Sequence, residues 1–65
     1  MRWKIQTRSV NGWADLKTSD DGGPYYLETY ASLDEARAEI ATMEQFGKGC
    51  RAVPEDTPAD DELYD

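Results

Sequence analysis

Polar and apolar positions alternate from Arg2 to Arg8: Trp3, Ile5 and Thr7 fall on one face, and Arg2, Lys4, Gln6 and Arg8 on the other. This is the period-two pattern of a half-buried β-strand. Ser9-Val10-Asn11-Gly12 follows, and Asn-Gly is a strong hairpin signal because both residues tolerate positive φ. Trp13 to Lys17 then reads as the return strand, with Ala14 and Leu16 inward and Trp13, Asp15 and Lys17 outward. Thr18 to Pro24 is rich in turn formers and predicts a loop. Tyr25 to Tyr30 is aromatic and β-prone, predicting a third strand or an extended lead-in. Its facing stays open, because tyrosine occupies both parities.

The period then changes to that of a helix, expected over Ser32 to Gly47. Ser32 and Glu35 stand at capping-box spacing. Asp34 and Glu35 place negative charge in the first turn, where the helix dipole favours it, and Gly47 can supply a left-handed stop. Leu33, Ala36, Ile40 and Met43 form a core-facing stripe. Lys48 to Val53 reads as a short last strand stopped by Pro54. From Glu55 on, the composition shifts to acid, proline and alanine, which predicts a mobile tail with Leu63 and Tyr64 as its sizeable apolar residues.

These elements predict one α+β domain over residues 1–54 and an acidic, flexible tail over 55–65. The domain is a three- to four-stranded, mostly antiparallel sheet with one helix on one face, in the order β-β-(β)-α-β. The helix stripe is expected to pack on Trp3, Ile5, Ala14 and Leu16, with Leu27 and Phe46 closing the edges.

Size and composition narrow the classes of function. A chain of 65 residues buries only about 60% of its unfolded surface, so its core is small. One cysteine excludes an intramolecular disulfide. No apolar run approaches the roughly 20 residues that span a bilayer, and no signal-peptide pattern is visible, so a cytoplasmic location in a host cell is expected. The net charge is −7, in blocks. Arg2, Lys4 and Arg8 make residues 1–14 basic, whereas Asp15, Asp20, Asp21, Glu28, Asp34, Glu35, Glu39 and Glu44 make the middle acidic. Lys48 and Arg51 follow, and Glu55, Asp56, Asp60, Asp61, Glu62 and Asp65 make the tail acidic without a base. Such a chain repels nucleic acid and anionic membranes and attracts basic surfaces.

Catalytic chemistry is not expected. The chain has no histidine, so neither a Ser-His-Asp nor a Cys-His device can be built in the usual way. Cys50, between Gly49 and Arg51, reads as a small apolar residue of a strand. Asp20-Asp21-Gly22-Gly23 lacks the ligand spacing of a calcium loop, and Gly22-Gly23-Pro24 lacks the lysine of a phosphate loop. No metal or cofactor is expected.

Two surfaces remain. Arg2, Lys4, Arg8 and Lys17 surround Trp13 on the outer hairpin face, a pattern suited to single-stranded nucleic acid. Strand cations balancing an acidic protein, with Trp13 beneath an arginine stem, explain the same residues. The second surface comprises Asp20, Asp21, Glu28, Asp34, Glu35, Glu39 and Glu44, with Tyr26 and Tyr30 as aromatic anchors. Carboxylates on a rigid surface can imitate duplex DNA, with its one charge per roughly 1.7 Å of axis, and can engage the Lys/Arg groove of a nucleic-acid-binding protein. A solvated helix face that keeps a small protein soluble is the competing explanation.

The layout of strand, Gly12-Trp13 hairpin, Pro24-started aromatic strand ending in Thr29-Tyr30, Ala/Glu helix and short basic strand resembles small proteins of phages and mobile elements, over residues 2–54. Among these it looks most like the small acidic anti-CRISPR inhibitors, of the type that act on a type I-C Cascade complex. The resemblance implies a stoichiometric inhibitor that blocks target-DNA binding by charge mimicry; a non-enzymatic monomer that binds the basic nucleic-acid-binding surface of a Cascade-type effector, with no direct nucleic-acid or membrane contact, is expected. The alternative is a small phage regulatory or single-stranded nucleic-acid-binding protein using the face around Trp13. A third reading makes Leu63-Tyr64 a docking peptide of an adaptor.

Overall fold

The computed structural model describes residues 1–43 and 49–63. Their elements, in chain order, are β1 (Trp3–Ser9), β2 (Gly12–Asp15), β3 (Lys17–Thr18), β4 (Tyr26–Leu27), α1 (Leu33–Thr42) and β5 (Cys50–Pro54). A three-stranded antiparallel sheet has the order β2-β1-β5, and β3 and β4 form a second, two-stranded antiparallel sheet. The architecture is α+β, as the sequence pattern predicts.

The first hairpin closes with Ser9 opposite Gly12, so its two-residue loop is Val10-Asn11 rather than Asn11-Gly12. Among the described residues positive φ occurs at Gly12, Asp21, Gly22 and Gly49, so Asn11 keeps an ordinary backbone. The left-handed pair lies instead at Asp21 (φ 51) and Gly22 (φ 76), bridged by a 2.7 Å hydrogen bond from Gly23 N–H to Asp20 O. Positive φ at both central residues is the sign pattern of a type I′ turn, whose twist matches that of the flanking strands. This turn lies between β3 and β4, in the stretch that composition marks only as a loop. Tyr30 joins the edge separately through reciprocal hydrogen bonds with Trp3 of 2.9 and 2.8 Å.

Helix α1 starts as its sequence dictates. Ser32 is the N-cap and its side chain accepts from Glu35 N–H, while the Glu35 carboxylate accepts from Ala31 N–H at 3.0 Å. The helix ends at Thr42, with Met43 as C-cap donating to Glu39 O and Ile40 O. That is earlier than the expected stop at Gly47, which, with Glu44, Phe46 and Lys48, lies outside the described residues. Ala36 of the stripe is fully buried against the sheet, together with Ile5 and Ala14, and Leu33, Ile40 and Met43 are half-buried. Small side chains at Ala14 and Ala36 let helix and sheet approach closely.

The opposite face of the sheet is covered too. Composition predicts a mobile tail from Glu55, but residues 55–63 run back across β1 and β2 with directed hydrogen bonds. Lys4 is 3% exposed and Gln6 0% exposed as a result. β1 is therefore a central strand buried on both faces, by apolar contacts on one side and by a polar layer on the other.

Candidate functional site

The outer sheet face, the candidate nucleic-acid surface, is built around β1 alternation. Lys4, Gln6 and Arg8 share it with Trp13 and Asp15 of β2 and Arg51 of β5, because partners in an antiparallel ladder share a face. Lys4 Nζ pairs with Asp15 Oδ1 at 2.8 Å and donates to Thr57 O at 2.5 Å. Gln6 is the junction. Its amide nitrogen donates to Asp15 Oδ1 (3.0 Å) and Pro58 O (3.2 Å), and its amide oxygen accepts twice from Arg51, at 3.0 and 2.7 Å. Among the described residues every buried side-chain polar atom has a partner, which burial in a low-dielectric interior requires.

The end of the tail fixes the edge. Asp60 N–H and Asp61 N–H both donate to Trp13 O, at 2.7 and 3.2 Å, and Trp13 N–H donates back to Asp60 Oδ2 at 3.0 Å. Ala14 and Asp61 form a parallel bridge. Gly12 is required here, since a Cβ at this position would stand 2.9 Å from Asp60 Cγ and φ is +134. The Asp61 carboxyl is held below the usual carboxylate range, chiefly by the Glu62 N–H and then by the Ser9 hydroxyl; Asn11 helps and burial opposes. The guanidiniums of Arg8 and Arg51 lie 5.2 and 4.2 Å from the Trp13 ring centroid, a cation–π arrangement. Arg2 donates to Thr29 Oγ1 and O, and Lys17 pairs with Glu62 at 3.3 Å. The cations meant for phosphates are thus engaged by the chain itself, and Lys4 is buried beneath the tail.

The acidic set is divided. Tyr26, Glu28 and Tyr30 of the lead-in and Glu39 and Met43 of the α1 side line one groove of about 370 Å³, with Leu16 and Ile5 among its apolar surfaces and Lys17 also in its lining. Asp20 stands beside it, accepting from the Tyr26 hydroxyl at 3.2 and 3.3 Å. Asp21 occupies the turn, Asp34 is exposed on α1, and Glu35 is spent on the helix cap. None of these three lines the groove, and Glu44 lies outside the described residues.

Electrostatics marks the groove as negative. The Tyr30 hydroxyl titrates above the ordinary phenol range, first through burial and then through the charges of Glu39 and Glu28. Tyr26 is raised by partial burial, then by the charge and hydrogen bond of Asp20, with Glu28 adding. Burial disfavours the charged phenolate and the neighbouring carboxylates add to it, which gives both shifts their sign. Among the described residues no group of three or more potential metal ligands occurs, and no helix is long and apolar enough to cross a membrane.

Sequence reasoning missed the roles of Thr57, Pro58 and Asp60, because two of the three act through backbone carbonyls that carry no side-chain signature. The usable signal was Gln6, a neutral amide with four hydrogen-bonding positions in the middle of a strand that needs partners if buried. No protein-family model, curated protein or solved structure matches the chain.

Proposed function

We propose that the protein is a non-enzymatic anti-CRISPR inhibitor whose acidic surface engages the basic DNA-binding surface of a Cascade-type effector and excludes target DNA. One observation carries this reading: four cations of the sheet side are engaged by the chain's own groups, while several carboxylates stay exposed without a partner cation among the described residues. Lys4, Arg51, Arg8 and Lys17 are committed to Asp15, Gln6, Trp13 and Glu62, whereas Asp21, Asp34 and Glu39 are exposed and Glu28 lines the open groove. The net charge of −7 gives the surface a negative field. Such a surface steers a basic partner into contact and repels DNA from the same place, with association that weakens as salt rises.

Charge reversal at Asp34 and Glu39 tests this, since neither carboxylate has an ion pair with a cation among the described residues. Each reversal adds two units, taking the net charge from −7 to −3. Glu35 is a poorer choice because it caps α1. In a DNA-binding assay with a purified crRNA-bound effector, the Asp34→Lys/Glu39→Lys variant is expected to inhibit about 10-fold or more less well, a loss of order 1.4 kcal/mol. Undiminished inhibition by this variant, folded by circular dichroism, refutes the proposal.

A further inference from the structure

We infer that the groove between the β3–β4 pair and α1 takes an arginine side chain from the partner protein, with its guanidinium at Glu28 and Glu39 and its planar face on Tyr26 or Tyr30. This deepens the inhibitor reading and rests on it. Two carboxylates face the groove. Among the described residues neither Glu28 nor Glu39 has a side-chain hydrogen bond or an ion pair with a cation of the chain, although both line the same groove. Lys17, which also lines the groove, is paired with Glu62. Glu28 is moreover half-buried, so its charge has given up part of its hydration without gaining a donor in return.

The remaining lining selects the form of the cation. Leu16, Ile5 and Met43 offer an apolar surface to an aliphatic stem, and two tyrosine rings offer flat faces to a planar ion. Arginine combines an apolar stem with a delocalised, weakly hydrated plane that stacks on aromatic rings and binds carboxylates through a fork of N–H donors. Lysine carries the same charge as a compact, strongly hydrated point, which stacks less well and cannot bridge two acids in a plane. A volume of about 370 Å³ accommodates one such side chain with room for water. The Tyr30 hydroxyl is raised first by burial, and the charges of Glu39 and Glu28 add to that. Phosphates and nucleic acid are excluded by that same charge. Basic DNA-binding surfaces present arginines densely, so one seated in this groove would fix the register of the acidic surface on its partner.

The full-length chain, labelled with ¹⁵N, is titrated with acetyl-Gly-Arg-Gly-amide and with the lysine and citrulline versions of that tripeptide. Saturable shifts at Tyr26, Glu28, Tyr30 and Glu39 are expected with arginine, weaker by about 3-fold or more with lysine and absent with uncharged citrulline. Glu28→Gln/Glu39→Gln is expected to weaken arginine binding about 10-fold or more while leaving the signals of residues 57–61 in place. Equal shifts with citrulline, shifts confined to other surfaces, or shifts that follow protein concentration rather than peptide would overturn the inference. The two readings fail separately. Arginine binding by a protein that does not inhibit the effector removes the inhibitor reading and leaves the groove, whereas full inhibition with a groove silent to arginine does the reverse.

Discussion

Replacing Asp15 with alanine is the sharpest test of the polar layer under the tail. Asp15 Oδ1 receives both Lys4 Nζ, at 2.8 Å, and Gln6 Nε2, at 3.0 Å. Without it, Lys4 keeps its charge in a position 3% exposed, with Thr57 O as the remaining partner. Removing one member of a buried ion pair costs about 3–5 kcal/mol, because the other charge stays desolvated. The Asp15 side chain retains 23% exposure, so some water can reach the site and the lower end, about 3 kcal/mol, applies. For a chain of this size the whole stability is roughly 3–10 kcal/mol, so the variant is expected to be marginal. In urea titrations with a slope of about 1 kcal/mol/M, the midpoint should fall by about 3 M. Native-state hydrogen exchange should show Asp60 and Asp61 amides, the donors to Trp13 O, losing protection with it. The double variant Lys4→Met/Asp15→Leu removes both charges and should recover most of the loss, since apolar replacement of a buried pair is close to neutral. A cost below about 1 kcal/mol for Asp15→Ala, the value of an exposed surface pair, would refute the reasoning.

Two further outcomes follow from the tail. Gly12→Ala places a Cβ against Asp60 at φ +134 and should cost roughly 1–3 kcal/mol in a thermal or urea melt. Asp60→Ala in that background should recover part of it, and strict additivity of the two changes would contradict the contact. The Asp61 carboxyl has a lower pKa folded than unfolded, so its contribution is present above the ordinary carboxylate value near about 3.9 and is lost as pH falls through the depressed value. Wild type should therefore lose stability on acidification more steeply than Asp61→Asn over that window. Parallel acid limbs would show that Asp61 is not tied to the fold.

How much of this was legible without coordinates can be judged element by element. Local rules sufficed where a residue's state depends on near neighbours in the chain. The Ser32–Glu35 cap is one case, since a helix start needs acceptors within one turn. The alternation of β1 is another, and its inward Ile5 is buried as predicted. Turn chemistry was legible but assigned to the wrong place: Asn11-Gly12 and Asp21-Gly22 carry equivalent signals, and the left-handed pair formed at the second. Gly12 answers instead to the approach of Asp60, 48 positions later.

What the sequence by itself determined is an α+β chain with a capped helix, a first hairpin and an excess of acid. Only the tertiary structure decided what the outward face of β1 and the acidic tail are for. Alternation tells that Lys4 and Gln6 point away from Ile5, but not whether water or protein lies there. The tail settles it with backbone carbonyls of Thr57 and Pro58, groups every residue possesses and composition cannot flag. The same return of the chain draws Lys17 onto Glu62. Likewise Tyr26, Glu28 and Tyr30 share a groove with Glu39 because β4 is paired to β3 and Tyr30 to Trp3. Such placements depend on distant segments, and local periodicity carries no information about them.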